Sequence, residues 1–234
     1  PVPIIQDAAH RGPIALDEYG DLLCLSFQAI KFLTTVDGGA LVPLPALSIS
    51  RAVCIKKPGR SVTSQLGADR ARLLRWYGLD RTKGESFRCE QNIVEAGYKY
   101  HMNDVAASIG LANLVLAQRA VAAHQANARF YHDALGDLCP QVELPPFDST
   151  CHYWLFPILV ERGRQQEFIQ HMTTHGVTTS PVHGRNDKHT AFHFPNGPLP
   201  GVDEFCSREV CIPVGWWLSE EDRNRVVDAV RRWR

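Results

Sequence analysis

Net charge is absent from this chain: its 234 residues carry 25 basic against 25 acidic side chains, so no global field draws it to nucleic acid or to an anionic membrane. Cysteine pairs are absent too. The seven cysteines, at 24, 54, 89, 139, 151, 206 and 211, form no CxxC and are odd in number, which argues against a zinc site or disulfide framework and for reduced thiols in a cytoplasmic protein. No uninterrupted apolar run approaches the about 20 residues of a membrane span, and no stretch has the form of a signal peptide. The chain opens on Pro1 without an initiator methionine, directly on a strand-like run, and reads as a fragment. Lysine is scarce, 6 residues against 19 arginines, so each lysine is the more informative. What remains is length enough for one large domain or two small ones with a substantial core.

Lys31 is the residue to explain. It stands among Ala29, Ile30, Phe32 and Leu33, five residues after Ser26. An ammonium among apolar neighbours is costly, and desolvation lowers a lysine pKa toward the free nucleophilic amine that a Schiff-base lysine needs. The run Leu22 to Phe27 has the length and bulk of a buried strand, with Ser26 where the strand gives out into a loop. Val2 to Ile5 reads as another buried strand, with Asp7 just past its C-terminal end. Crevices in parallel α/β sheets open at such ends, so this acid and this lysine can face one site. Pyridoxal phosphate enzymes need that pair, a lysine for the aldehyde and an Asp that keeps the pyridine nitrogen protonated. A snorkelling surface lysine and a turn-capping Asp fit the same spacing.

Several motifs resemble one family. They are Asp7-Ala8-Ala9-His10, Ser26-Phe27-Gln28-Ala29-Ile30-Lys31, Thr34-Thr35 and Asp37-Gly38-Gly39-Ala40-Leu41-Val42, then Arg72-Leu73-Leu74-Arg75, Gly97-Tyr98-Lys99-Tyr100-His101-Met102-Asn103-Asp104 and Ala106-Ala107-Ser108-Ile109-Gly110-Leu111. Together they resemble the DegT/DnrJ/EryC1/StrS family, fold-type I, pyridoxal-phosphate-dependent nucleotide-sugar aminotransferases.

The resemblance implies an α/β fold, the C-terminal part of a fold-type I transferase, and a homodimer. It implies reversible amino transfer, usually from glutamate, to the keto group of a nucleotide-linked deoxysugar. Its product would serve a surface polysaccharide or a secreted metabolite. By position, Lys31 would hold the cofactor and shuttle the proton, Asp7 would pair with the pyridine nitrogen, His10 would stand near the ring hydroxyl, and Ser26 would bind the phosphate. Lys99 and His101 would reach the partner subunit's cofactor and substrate. His183 and Arg185 would approach the nucleotide-sugar, Arg185 pairing bidentately with a phosphate.

The sequence departs from the family pattern at Val36, where Gly is usual, at Lys99, where Asn is common, and at His101, where Arg is common. A β-branched residue at a position needing positive φ would strain the lysine loop. Two alternatives stand beside the aminotransferase. A sugar dehydratase of the same family typically has His at the Lys31 position. A truncated, non-catalytic remnant would act as an interaction or structural protein.

The rest of the chain is organised around this stretch. Residues 1–138 read as the remainder of the large cofactor domain, with an unusual Pro-, Ser- and Gly-rich insertion at about 43–67, and residues 139–234 as a small C-terminal α/β domain. A helix is expected over Asp69 to Tyr77, stopping at Gly78, and a long one from an Asn103 or Asp104 cap to about Leu135. Tyr153 to Val160 reads as a strand, with Pro157 suggesting an edge or bulge. Gln165 to His175 is a helix and Val177 to Val182 a short strand. Ser219 to Asp222 resembles a capping box opening the last helix, with Val226, Val230 and Trp233 as its apolar stripe. His183 and His189 lack a third metal ligand of suitable spacing. Trp216-Trp217 fits either packing or an aromatic platform.

Overall fold

Short apolar runs separated by turn residues build two small sheets, each with its own helices. The structure, a computed structural model, describes residues 4–11, 22–43, 64–82, 90–136, 141–192 and 197–234. The chain divides into two compact units, Pro1–Gln118 and Arg119–Arg234, the division falling within a long helix.

The first unit holds strands β1 (Ile5–Asp7), β2 (Leu22–Ser26) and β3 (Gly39–Pro43) in the order β1-β2-β3. β1 runs parallel to β2, and β3 returns antiparallel with Ser26 opposite Gly39. Leu23 is fully buried with Ala8, and Leu25 and Val42 are half-covered beside them. The run from Leu22 does become a strand. Asp7, however, is the last residue of β1 rather than a residue beyond it, because its register partner Cys24 extends the ladder that far. Val2 and Pro3, and most of the expected insertion, lie outside the described residues.

Helix α1 spans Ser64–Leu74, starting and ending earlier than the apolar pattern suggested. Tyr77 and Gly78 take φ of +56° and +79°, which no helix can continue through, and the Gly78 N–H closes on the Leu73 carbonyl at 2.9 Å. The segment that follows Gly97 docks on this helix end through main chain alone. Tyr98 N–H donates to Leu74 O, Tyr77 N–H to Tyr98 O, and Tyr100 N–H to Arg75 O. The approach is so close that a Cβ on Gly97 would lie 2.3 Å from Gly78 N.

Helix α2 (Asp104–Leu135) begins where expected, its N-terminus capped by the Asn103 side chain, which accepts from Ala106 N–H at 2.9 Å. By length and composition it is the one helix among the described residues that would suffice to cross a membrane. Its polar side chains instead bind this chain's own carbonyls: Asn113 donates to Thr34 O, His124 Nδ1–H to Tyr153 O, and Asn127 to Val214 O and Gly215 O.

The second unit packs β4 (Val142–Glu143), β5 (Phe156–Val160) and β6 (Glu209–Ile212) as an antiparallel sheet in that order, with α3 (Gln165–Thr174), α4 (Pro200–Cys206) and α5 (Glu220–Arg232). Pro157 sits in the central strand, yet β4 pairs only with Leu159 and Val160, so Pro157 keeps an edge position on that side. Residues 177–182 form no strand of their own, only a bridge from Ser180 to Cys211. The capping box at α5 is complete, Ser219 Oγ accepting from Asp222 N–H and Asp222 Oδ2 from Ser219 N–H. Val226, Val230 and Trp233 are buried as their spacing implied. Trp216 and Trp217 are 62% and 65% exposed and so stand outside the buried core, although Trp217 sits edge-on to His124 with centroids 6.0 Å apart.

Candidate active site

Because β1 and β2 are parallel, their C-terminal ends meet at one edge of the sheet, and this places Asp7 and Ser26 together. The Asp7 Oδ1 accepts from Ala9 N–H at 2.9 Å, which fixes the carboxylate. His10 stands exposed in the following turn, closed by Arg11 N–H on Ala8 O.

The lysine loop, residues 27–38, is held as a closed figure. Phe27 N–H donates to Gly38 O and Thr35 N–H to Phe27 O, both at 2.9 Å. Thr34 Oγ1 donates to Phe27 O and accepts from Val36 N–H, while the buried Thr35 hydroxyl donates to Asp37 O. The start of α2 supports the loop from behind: a Cβ on Gly110 would come within 2.7 Å of the Thr35 methyl. Within this frame Lys31 N–H turns back onto Gln28 O at 2.9 Å. Ser26 Oγ accepts from Gln28 N–H at 3.4 Å, which leaves its own proton free to donate.

Lys31 is half-buried, and desolvation pushes its amine below the ordinary lysine pKa while the Asp7 carboxylate pulls it back up. These two opposing influences put the acid and the amine in one electrostatic neighbourhood. A lysine with a lowered pKa, a carboxylate and a hydroxyl fit an aldehyde, a ring nitrogen and a phosphate, the three handles of pyridoxal phosphate. Val36 takes φ +73°, so the residue that replaces the family's glycine does sit in the left-handed region.

A model of the DegT/DnrJ/EryC1/StrS aminotransferase family matches residues 1–231. The chain belongs to that family. Solved structures agree: AtS13 from Actinomadura melliaura is 33% identical with a TM-score of 0.80, covering 98% of this chain and 57% of its own. The sugar aminotransferase CalS13 from Micromonospora echinospora is 31% identical with a TM-score of 0.79, covering 97% of this chain and 57% of its own. The protein MJ1066 of Methanocaldococcus jannaschii, uncharacterized, is 25% identical over 248 residues, 98% of this chain and 59% of that protein. The chain thus spans somewhat under three-fifths of the length of these relatives. DegT/DnrJ/EryC1/StrS aminotransferases depend on pyridoxal phosphate, and the fold here is part of the fold-type I architecture.

The remaining family-derived positions fall in two other places. Lys99 and His101 lie on the segment bridged to the end of α1, where Trp76 pairs with Lys99 across the bridge. His183 and Arg185 lie in the second unit. The His183 ring stacks with Trp154, centroids 6.2 Å apart. Arg185 is already engaged: Asp187 accepts from its Nε and Nη2 at 2.8 and 2.6 Å, and Asp203 accepts from Nη1. Those carboxylates raise the Arg185 pKa, and the Arg185 guanidinium holds Asp187 below the usual carboxylate range. To take a substrate phosphate, Arg185 would have to exchange one carboxylate for it.

The sequence reading missed Glu209. Its carboxylate is buried in β6, accepts the Val182 N–H at 3.0 and 3.2 Å, and receives the Cys211 thiol at 3.1 Å, thereby anchoring the segment that carries His183. The available signal was a lone acid opening the apolar run Val210-Cys211-Ile212.

Proposed function

We propose that this chain carries the catalytic lysine of an aminotransferase acting on a nucleotide-linked keto-deoxysugar, with glutamate as donor, in a cytoplasmic homodimer. The observation that supports it is Lys31, half-buried and shifted toward the neutral amine beside Asp7.

Pyridoxal phosphate, when bound, supplies an electron sink for the charge that develops at a substrate carbon losing its proton. The protein's share follows from its own groups. With its pKa lowered by desolvation, Lys31 Nζ would hold the cofactor's aldehyde and, when free of it, would be the base that takes a substrate Cα proton and returns it. Asp7 would hold a protonated ring nitrogen, His10 would stand near the ring hydroxyl, and Ser26 Oγ–H would donate to the phosphate. Lys99, His101, His183 and Arg185 bind substrate. The apolar surface of the first half of α2, with Val105, Leu111, Val115 and Leu116 exposed, supports a homodimer through that face.

A second reading, a non-catalytic interaction protein, draws on the same apolar surface and on the strained Val36. One experiment separates the two. The purified chain is mixed with pyridoxal phosphate, reduced with borohydride and mapped by peptide mass spectrometry. An adduct at Lys31 supports the enzyme, and its absence, both here and in the full-length protein, favours the interaction protein. In the cofactor-free chain, Asp7→Asn removes the influence that raises the Lys31 pKa, so its acetylation should reach half-maximal rate at lower pH than in the wild type. An unchanged midpoint would show that Asp7 does not act on Lys31.

A further inference from the structure

Residues 147–153 lie as a strap against the second half of α2, and four side chains of that helix hold them there. Gln125 Nε2 donates to Ser149 O at 3.0 Å and to Cys151 O at 3.1 Å, and His124 Nδ1–H donates to Tyr153 O at 2.8 Å. The Arg129 guanidinium stacks over the Phe147 ring, 3.6 Å from its centroid, and the His132 ring meets Phe147 and Phe156 edge-on, with centroids 5.3 and 5.6 Å apart. Within the strap, Asp148 N–H donates to the Tyr153 hydroxyl at 2.7 Å. Tyr153 takes φ of +50°, a conformation that a bulky residue keeps only while its surroundings enforce it.

Two of these four clasps can take a proton. His124 is buried, and the half-buried His132 has its Nε2 enclosed without a hydrogen-bond partner among the described residues. A charge on His132 would be set between two phenyl rings and beside Arg129, a permanent cation. Asp133, also on α2, favours that charge and opposes the effect. From the strap itself come the exposed Cys151, the buried His152 and Asp148, whose Oδ1 accepts from the Thr150 N–H and hydroxyl. The Trp217 indole stands edge-on to His124, and from α5 Arg223 reaches Asn127 Oδ1 at 3.3 Å. Burial, then Arg129, lowers the His132 pKa, and burial lowers that of His124 against the pull of the Tyr153 carbonyl. An imidazole whose pKa falls on folding stabilises the closed form above its ordinary value of about 6.5. That stability is lost as pH drops from there through the lowered folded value.

We propose that residues 147–153 are an acid-released strap, closed on α2 while His124 and His132 are neutral and lifting when both are protonated. Release also frees Tyr153 from its left-handed conformation. Trp154 follows directly, its ring stacked with His183, so lifting reaches a residue assigned above to substrate binding. That consequence rests on the aminotransferase reading; the strap does not, and it can be observed without any ligand.

The test is hydrogen exchange of the whole chain at about pH 7.5 and about pH 5.5, either side of the ordinary imidazole range. Exchange is read by mass spectrometry on a peptide covering residues 147–153 and corrected for its intrinsic pH dependence. Protection of the wild-type strap should fall about tenfold at the lower pH, the scale of one hydrogen bond, while α5 stays protected. His124→Asn keeps a donor for Tyr153 O and His132→Phe keeps a ring in the niche, so the double variant should hold its strap protection at both pH values. His132→Gln, neutral at either pH, is a second route if the phenyl ring is not accommodated. Gln125→Leu should loosen the strap equally at both pH values, since its amide does not titrate. The proposal falls if wild-type strap protection is the same at both pH values, if the double variant loses it as the wild type does, or if α5 loses protection in parallel.

Discussion

In Arg119–Arg234 the sheet and helices close over a buried core that runs from Ala128 through Phe156, Phe168 and Val210 to Trp233. In Pro1–Gln118 the buried cluster of the described sheet is Ala8 and Leu23, while Val94, Tyr98, Tyr100, Val105, Leu111 and Val115 face solvent. The second unit therefore carries its own hydrophobic stabilisation. The first has apolar surface that only another surface can cover, and it is also where Lys31, Asp7 and Ser26 lie. The candidate site thus lies on the unit that is less self-sufficient, in keeping with binding sites being drawn from the less stable parts of a protein.

The sharpest way to break this contrast is truncation. Phe168→Ala removes a fully buried ring packed edge-on against Trp233, centroids 5.5 Å apart. It should cost about 3–5 kcal/mol in denaturant unfolding of the second unit. Leu25→Ala, at the half-covered edge of the first sheet, should cost only about 1 kcal/mol. Equal costs would mean that the first unit has a core as demanding as the second.

A smaller effect, of opposite sign, is expected at Val36. Relief of left-handed strain is worth about 1–3 kcal/mol and the added chain entropy of glycine costs about 0.5–1. Val36→Gly should thus stabilise the first unit by about 1 kcal/mol, read as a raised denaturation midpoint. Destabilisation would show that the valine side chain does something besides strain the loop.

The smallest change in stability should come from the apolar face. Leu111 and Val115 are exposed, so converting both to Glu should shift unfolding by no more than about 0.5 kcal/mol. It should nevertheless turn a dimer into a monomer by light scattering. A wild-type chain that is already monomeric, or a double variant that still dimerises, would remove this face from consideration as the interface.

Much of the scaffold was legible because local rules and tertiary structure agree. Ser219 and Asp222 announce a cap, Asn103 announces α2, and the apolar run from Leu22 announces β2, since each signal is local and nothing overrides it. The end of β1 was misplaced because strand length is set by the partner, and Cys24 lies far along the chain. Exposure of Trp216 and Trp217 was illegible for a similar reason: a bulky aromatic pair reads as core until its surroundings are known. In the candidate site, spacing and family motif put Lys31 and Asp7 forward. The engagement of Arg185 by Asp187 and Asp203 was not, because Asp203 is brought in by a helix whose position the sequence does not state. Glu209 escaped for the same reason, its partner Val182 being a backbone group rather than a residue type.

The joint between α1 and residues 97–101 is made by main chain, from Tyr77 N–H to Tyr98 O and from Tyr98 and Tyr100 N–H to Leu74 and Arg75 carbonyls, across glycines that admit no side chain. Such a seam is indifferent to the identity of residues 98–101, provided that they are not proline. Mutation can therefore rewrite what those four side chains present without loosening the frame that presents them. A lineage can exchange Asn for Lys99 or Arg for His101 in single steps and test a new ligand each time, while the two glycines are the positions at which such experiments end.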